Sequence, residues 1–132
     1  MTIKSLEGAS AYRSLITLNQ HKFTDGRIAI KIFNLMNKLK PVFDFRLQEE
    51  KKIIDAHPNF DPTINGIKIE KDGSNAEEAD REAKEIQKEF EDLGEIESEI
   101  DYEPFDLDLS KEQIPLSADD IKNLTTFINF IS

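Results

Sequence analysis

At 132 residues, with 38% hydrophobic and 33% charged side chains and a net charge of -10, the chain has the length for one domain and a small core under a heavily charged surface. The absence of cysteine excludes a disulfide scaffold and a thiolate metal site. Residues 1–57 carry ten Lys/Arg against six Asp/Glu, a net of +4, and residues 58–132 carry seven against twenty-one, a net of -14; the first expectation is a solvated acidic face, and otherwise the halves pack with complementary fields or the acidic half repels nucleic acid and attracts a basic partner.

Thr2 to Lys4 starts as a short extended piece, and from Ser5 the spacing of Leu6, Ala9, Tyr12, Leu15, Ile16 and Leu18 predicts a first helix near 5–20, with Gly8 lowering its propensity by roughly 1 kcal/mol relative to Ala. The start MTIKSLEGASAYRSL lacks the pattern of a secretory signal, and no run approaches the roughly 18 apolar residues of a membrane span. A cytosolic origin is the expectation, and the sequon at Asn123 carries no weight on that reading.

Thr24 is expected to cap the longest element, 24–57, with Asp25 in its first turn at the positive end of the helix dipole. Ile28, Ile32, Leu35, Leu39 and Val42 step 4, 3, 4, 3, and Phe33, Met36, Phe43, Leu47 and Ile54 widen the stripe. Pro41 removes one helical hydrogen bond, so the expectation is a kinked helix rather than two, because the stripe resumes in phase at Phe43. Pro58 ends it. Residues 58–75 read as loops and turns, with a short strand at Ile67–Ile69.

Asn75 with Glu78 opens a third helix whose Ala79, Ala83, Ile86, Phe90 and Leu93 form a narrow seam, closed at Gly94. The two seams predict a helical hairpin. From Ile96 the period becomes two: Ile96, Ser98, Ile100 and Tyr102 on one face, Glu97, Glu99 and Asp101 on the other. After Pro104, Phe105, Leu107 and Leu109 alternate with Asp106 and Asp108, as an edge strand with its acids in water. Ser117 with Asp120 opens a last helix, on which Ile121, Leu124, Phe127, Ile128 and Ile131 share a face.

The residues offer no assembled chemistry. His21 and His57 have no further ligand at metal spacing, and Asp106 and Asp108 lack the rest of a calcium loop. Lys71-Asp72-Gly73 is a turn rather than a phosphate cradle, and no serine sits in a nucleophile elbow. Lys31, Lys38, Lys40, Arg46, Lys51 and Lys52 are diluted by acidic neighbours, and the net charge disfavours nucleic acid. The expectation is a non-enzyme with no cofactor and no metal, no direct nucleic-acid contact and no membrane.

The order of elements, from KFTDGRIAIKIFNLMNKLKPVFDFRLQEEKKIIDAH through EADREAKEIQKEFEDLGEIESEIDYEPFDLDL to IPLSADDIKNLTTFINFI, resembles a family of small tailed-phage proteins known only as a domain of unknown function. The likeness spans nearly the whole chain; its most specific parts are Leu93-Gly94 with the Glu95–Asp101 unit and the Leu-Ser-x-x-Asp-Ile start at 116–121. It carries no catalytic residues to transfer.

The expected architecture is α+β and mostly α, in one domain over 1–132: a helical core at 5–57 and 76–93 built on the long helix, a loop at 58–75, a small antiparallel β element at 96–109 and a C-terminal helix at 117–130. The expected function is that of a non-enzymatic phage protein acting through protein–protein contacts, located in the host cytoplasm during infection and either incorporated in the virion or used in its assembly. Its partners are then phage virion or assembly proteins, or further copies of itself, and its contact surface is expected at Glu97, Glu99, Asp101, Asp106 and Asp108 with the apolar Phe130 and Ile131. The alternative is a small acidic inhibitor that occupies a basic nucleic-acid-binding site on a host defence or transcription protein.

Overall fold

The 4, 3, 4, 3 spacing of the long stretch becomes the buried line of a single helix: Ile32, Leu35, Leu39 and Val42 lie along its inner face. The computed structural model describes all residues, Met1–Ser132. In chain order it contains strand β1 (Thr2–Lys4), helix α1 (Ser5–Leu18), helix α2 (Gly26–Ala56), strands β2 (Phe60–Asp61) and β3 (Gly66–Ile67), helix α3 (Ala76–Gly94), strands β4 (Glu97–Glu99) and β5 (Phe105–Asp108), helices α4 (Leu109–Glu112) and α5 (Ala118–Leu124), and strand β6 (Ile128–Ile131). The class is α+β and mostly α.

Asp25, not Thr24, caps α2: its carboxylate accepts from the Arg27 N–H at 2.9 Å. Thr24 is drawn away by Glu112, a buried carboxylate that accepts from the Thr24 N–H at 3.0 Å, the Thr24 hydroxyl at 2.9 Å and the Asp25 N–H at 3.4 Å. The Thr24 amide and hydroxyl outweigh the cost of burial and hold the Glu112 carboxyl below its ordinary range. α4 thus supplies the negative charge that the start of α2 favours. α2 runs unbroken through Pro41, which faces solvent with Asn37, so water reaches the carbonyl that the proline leaves without a donor. The apolar face is narrower than its sequence suggests: Phe33 is 60% and Leu47 43% exposed.

α1 lies on α2 at close range. A Cβ on Gly8 would stand 2.7 Å from Val42 Cγ1, so the glycine that weakens the helix is what lets the two approach. Leu15, Leu18, Ile32, Leu35 and Leu39 then join Phe105, Leu107, Leu124, Phe127 and Ile128 in one core. α3 covers the far end of α2 with Ala79, Ile86 and Leu93.

The β structure departs from the expected element. β4 does not pair with β5; it pairs antiparallel with β1, Thr2 opposite Glu99, and the regular strand is only Glu97–Glu99. The strand expected at Ile67–Ile69 is instead Gly66–Ile67 (β3), with Lys68 and Ile69 outside it, and it pairs with β2 as a two-residue hairpin ladder. The C-terminal helix expected at 117–130 ends at Leu124, and β6 pairs in parallel with β5, Phe105 opposite Ile128. Two physical reasons favour the strand: Ile128, Phe130 and Ile131 are β-branched or aromatic, and after a turn at 125–127 the extended form places Ile128 in the core and Phe130 against it. α4 and α5 make the long crossover that a parallel pair requires. The Tyr102 hydroxyl, its pKa raised by burial, donates to the Phe127 carbonyl and ties the segment between β4 and β5 to this end.

Candidate protein-contact surface

The seven surface residues expected from sequence divide between two ribbons. Glu97 and Glu99 lie on β4, where Glu97 is exposed and Glu99 accepts from the Thr2 hydroxyl and stands 3.9 Å from the Met1 ammonium. Glu99 and Asp101 line a polar hollow of about 420 Å³ with Asn37, Lys38 and Pro41 of α2. Asp106, Asp108, Phe130 and Ile131 do come together on the parallel pair, with Leu107 opposite Phe130 and Asp108 opposite Ile131.

Two of these four serve the fold instead. The Asp108 carboxylate caps α4, accepting from the Ser110 hydroxyl at 2.6 Å and from the Ser110 N–H at 3.0 Å, and these bonds hold its pKa below the usual carboxylate range. Phe130 packs half-buried against the core. Asp106 accepts only from the Asn129 side chain at 3.3 Å, and Ile131 is 47% exposed, so these two remain at the surface.

The larger feature lies elsewhere. α2, α3, the first turn of α1 and the β2–β3 hairpin enclose an open groove of about 990 Å³. It arises because α3 has a narrow apolar seam in an acidic helix and covers the end of α2 incompletely. Its apolar lining includes Leu6, Ile54, Ile86 and Phe90, with Phe60 set 6.5 Å from Phe90 between ring centroids; its charged lining is Glu50, Asp80, Glu91 and Glu95 with Arg46 and Lys84.

Arg46 falls on the buried line of α2, seven residues after Leu39 and four after Val42. Its Nε donates to Glu50 at 2.7 Å, whereas Nη1 is buried with no hydrogen-bond partner. The guanidinium lies at the C-terminal turn of α3, where the helix dipole favours a cation, and a Cβ on Gly94 would come within 3.4 Å of Nη1. A Cβ at Gly94 would thus be a tight fit rather than a clash.

His57, at the end of α2, ties that end to α3 outside the groove. Its Nδ1 stands 3.2 Å from Glu82 Oε1 and its Nε2 2.9 Å from Glu89 Oε2, both on α3. Carboxylates only accept, so both contacts are hydrogen bonds only when the ring is an imidazolium. Burial opposes that charge, but the hydrogen bonds to Glu89 and Glu82 and their Coulombic pull outweigh it, and His57 is held above the ordinary histidine pKa.

Nothing in the expected list included this groove. The position of Arg46 within an apolar stripe was a usable signal; the pairing of His57 with two glutamates seven residues apart was not, since it depends on how α3 docks. No group of three His, Cys, Asp or Glu side chains is arranged to hold a metal ion, and no helix is long and apolar enough to cross a membrane. Comparison of the chain with protein-family models, with curated proteins and with solved structures finds no match.

Proposed function

We propose that this chain works by contact with other proteins, as a phage protein carried in the virion or used in its assembly, present in the host cytoplasm during infection. The groove carries the contact part of this proposal. Its apolar floor under a charged rim has the composition of a contact surface, and it is bounded by two helices and a hairpin, which keeps it open along its length. The phage setting rests on the resemblance in the order of elements. Mass spectrometry of purified virions is expected to find the chain, and a pull-down from infected cells to return identified virion or assembly proteins; absence from virions together with no such capture would overturn the proposal.

One observation favours a second reading, the acidic inhibitor. Glu77, Glu78 and Glu85 on α3, and Glu97 and Asp101 beyond it, are exposed and engaged in no ion pair. An inhibitor of a basic site would bind with steep salt dependence, and reversing charge at Glu97, Glu99 and Asp101 would abolish binding. Salt-insensitive binding would rule this second reading out.

A further inference from the structure

We propose that His57 is a pH-operated latch on α3: the charged ring locks residues 76–89 of that helix to the end of α2, and the neutral ring releases them while the rest of the fold stays intact.

The arrangement of donors carries this. Nδ1 faces Glu82 at 3.2 Å and Nε2 faces Glu89 at 2.9 Å, so an imidazolium donates to both carboxylates at once. A neutral imidazole has one N–H and one lone pair. Whichever nitrogen keeps the proton, the other then turns its lone pair on a carboxylate at one of those two distances, and a bond becomes a repulsion. The ring is only 14% exposed, so water does little to soften the change.

No other group takes over the role. Glu82 and Glu89 have no further hydrogen-bond or ion-pair partner, and the one other ion pair of α3, Lys84 with Asp80 at 3.0 Å, lies within the helix. On α2, Asp55 is paired with Lys51 at 3.9 Å; on the hairpin, Asp61 accepts from the Thr63 N–H and hydroxyl. His21 is of another kind. It faces a single carboxylate, Glu112 at 3.8 Å, which already holds Thr24 and Asp25.

The two ends of α3 are also held unequally. At the C-terminal end Leu93 is buried, and its carbonyl accepts from the Ser5 hydroxyl and the Ile96 N–H. Between 76 and 89 only Ala79 and Ile86 are buried, and Asn75 bonds the Lys68 carbonyl and the Glu70 N–H with its side chain instead of capping the helix. Unlatched, this stretch moves about the Leu93 end and turns Ile86 towards solvent. Burial opposes the charge on His57, and the bonds to Glu89 and Glu82 outweigh it, so the latched form persists above the ordinary value of 6.5 and release follows as pH rises further.

Hydrogen exchange, read residue by residue by NMR at about pH 6 and about pH 8.5, tests this on either side of a raised histidine pKa. Protection is taken relative to the intrinsic rate at each pH, so the pH dependence of the exchange chemistry cancels. In wild type, the amides of Ala79 to Ile86 are expected to lose about fivefold in protection at the higher pH, the weight of one hydrogen bond in a folded chain. Those of Ile32 and Leu39 are expected to hold. His57→Gln should show the lower α3 protection at both values, and Glu82→Gln with Glu89→Gln should remove the pH response. Wild-type α3 protection that is the same at the two values would overturn the latch without recourse to any variant. A fall as large in His57→Gln would overturn it too, and so would a fall shared by Ile32 and Leu39, which reports unfolding of the whole chain.

Discussion

The two ends of α2 are buried by different means. Between Ile32 and Leu39 the inner positions have no exposed surface and meet only apolar neighbours from α1, α5 and the β5–β6 pair. Between Arg46 and His57 the inner face is charged or half-exposed; Arg46 pairs with Glu50 of α2 itself, and α3 is tied to the end of α2 by His57 with Glu82 and Glu89. The first end has room for nothing; the second keeps a groove. A long helix can therefore serve as core along half its length and as the wall of a contact surface along the rest, and the switch lies in what the inner positions hold after Val42.

That contrast predicts a gradient of mutational cost. Phe127→Ala, in the dry half, should destabilise by about 3–5 kcal/mol in denaturant unfolding, since Phe127 has no exposed surface and the β5–β6 pair closes over it; a loss under about 1 kcal/mol would mean that this half is as loosely packed as the other. Gly8→Ala should cost about 1–3 kcal/mol despite alanine's better helix propensity, because its Cβ drives Val42 out of place. Gly94→Ala is the matched test in the loose half. The new Cβ would meet Leu6 Cβ at 3.3 Å and Arg46 Nη1 at 3.4 Å, contacts relieved by a shift of a few tenths of an ångström where Gly8 faces one of 2.7 Å, so the change should stay within about 1 kcal/mol of wild type. A cost equal to that of Gly8→Ala would erase the distinction.

The smallest effect is that of pH on the His57 clamp. A histidine held above its ordinary value of 6.5 favours the protonated form in the folded state. The stability it lends is then complete below that value and is lost as pH rises through the higher folded-state pKa. Unfolding midpoints of wild type and His57→Gln should converge above that window and separate below it, and NMR titration of His57 should drop towards the ordinary value in Glu89→Gln. Parallel pH curves for wild type and His57→Gln would show that the clamp adds nothing.

Periodicity made α1, α2 and α3 legible, because a buried stripe leaves its spacing in the sequence whatever covers it. Which residues cover it left no such mark. The step of three and four from Ile121 to Ile131 fits a helix, yet Ile128–Ile131 is a strand, since a parallel partner more than 20 residues earlier outweighs local spacing. The alternation at Ile96–Tyr102 announced a strand but not that its partner is Thr2–Lys4. For the surface, acidic alternation led to Asp108, whose carboxylate is occupied by capping α4, while the groove was hidden because its walls come from four separate elements. Arg46 alone left a trace, as a charge standing in phase with Leu39 and Val42.

The pairing of Thr2 with Glu99 sets an order on synthesis. At roughly 5–20 residues per second, about 5–20 s separate the making of β1 from that of its partner strand, during which α1 and α2 exist without α3 or the C-terminal strands. The Ser5 hydroxyl and N–H, which in the finished protein donate to the Leu93 and Ile96 carbonyls, wait as long. The nascent chain thus exposes Leu15, Ile32, Leu35 and Leu39 to the ribosome surface and its chaperones until the acidic half arrives, and the N-terminal strand is among the last pieces to acquire its partner.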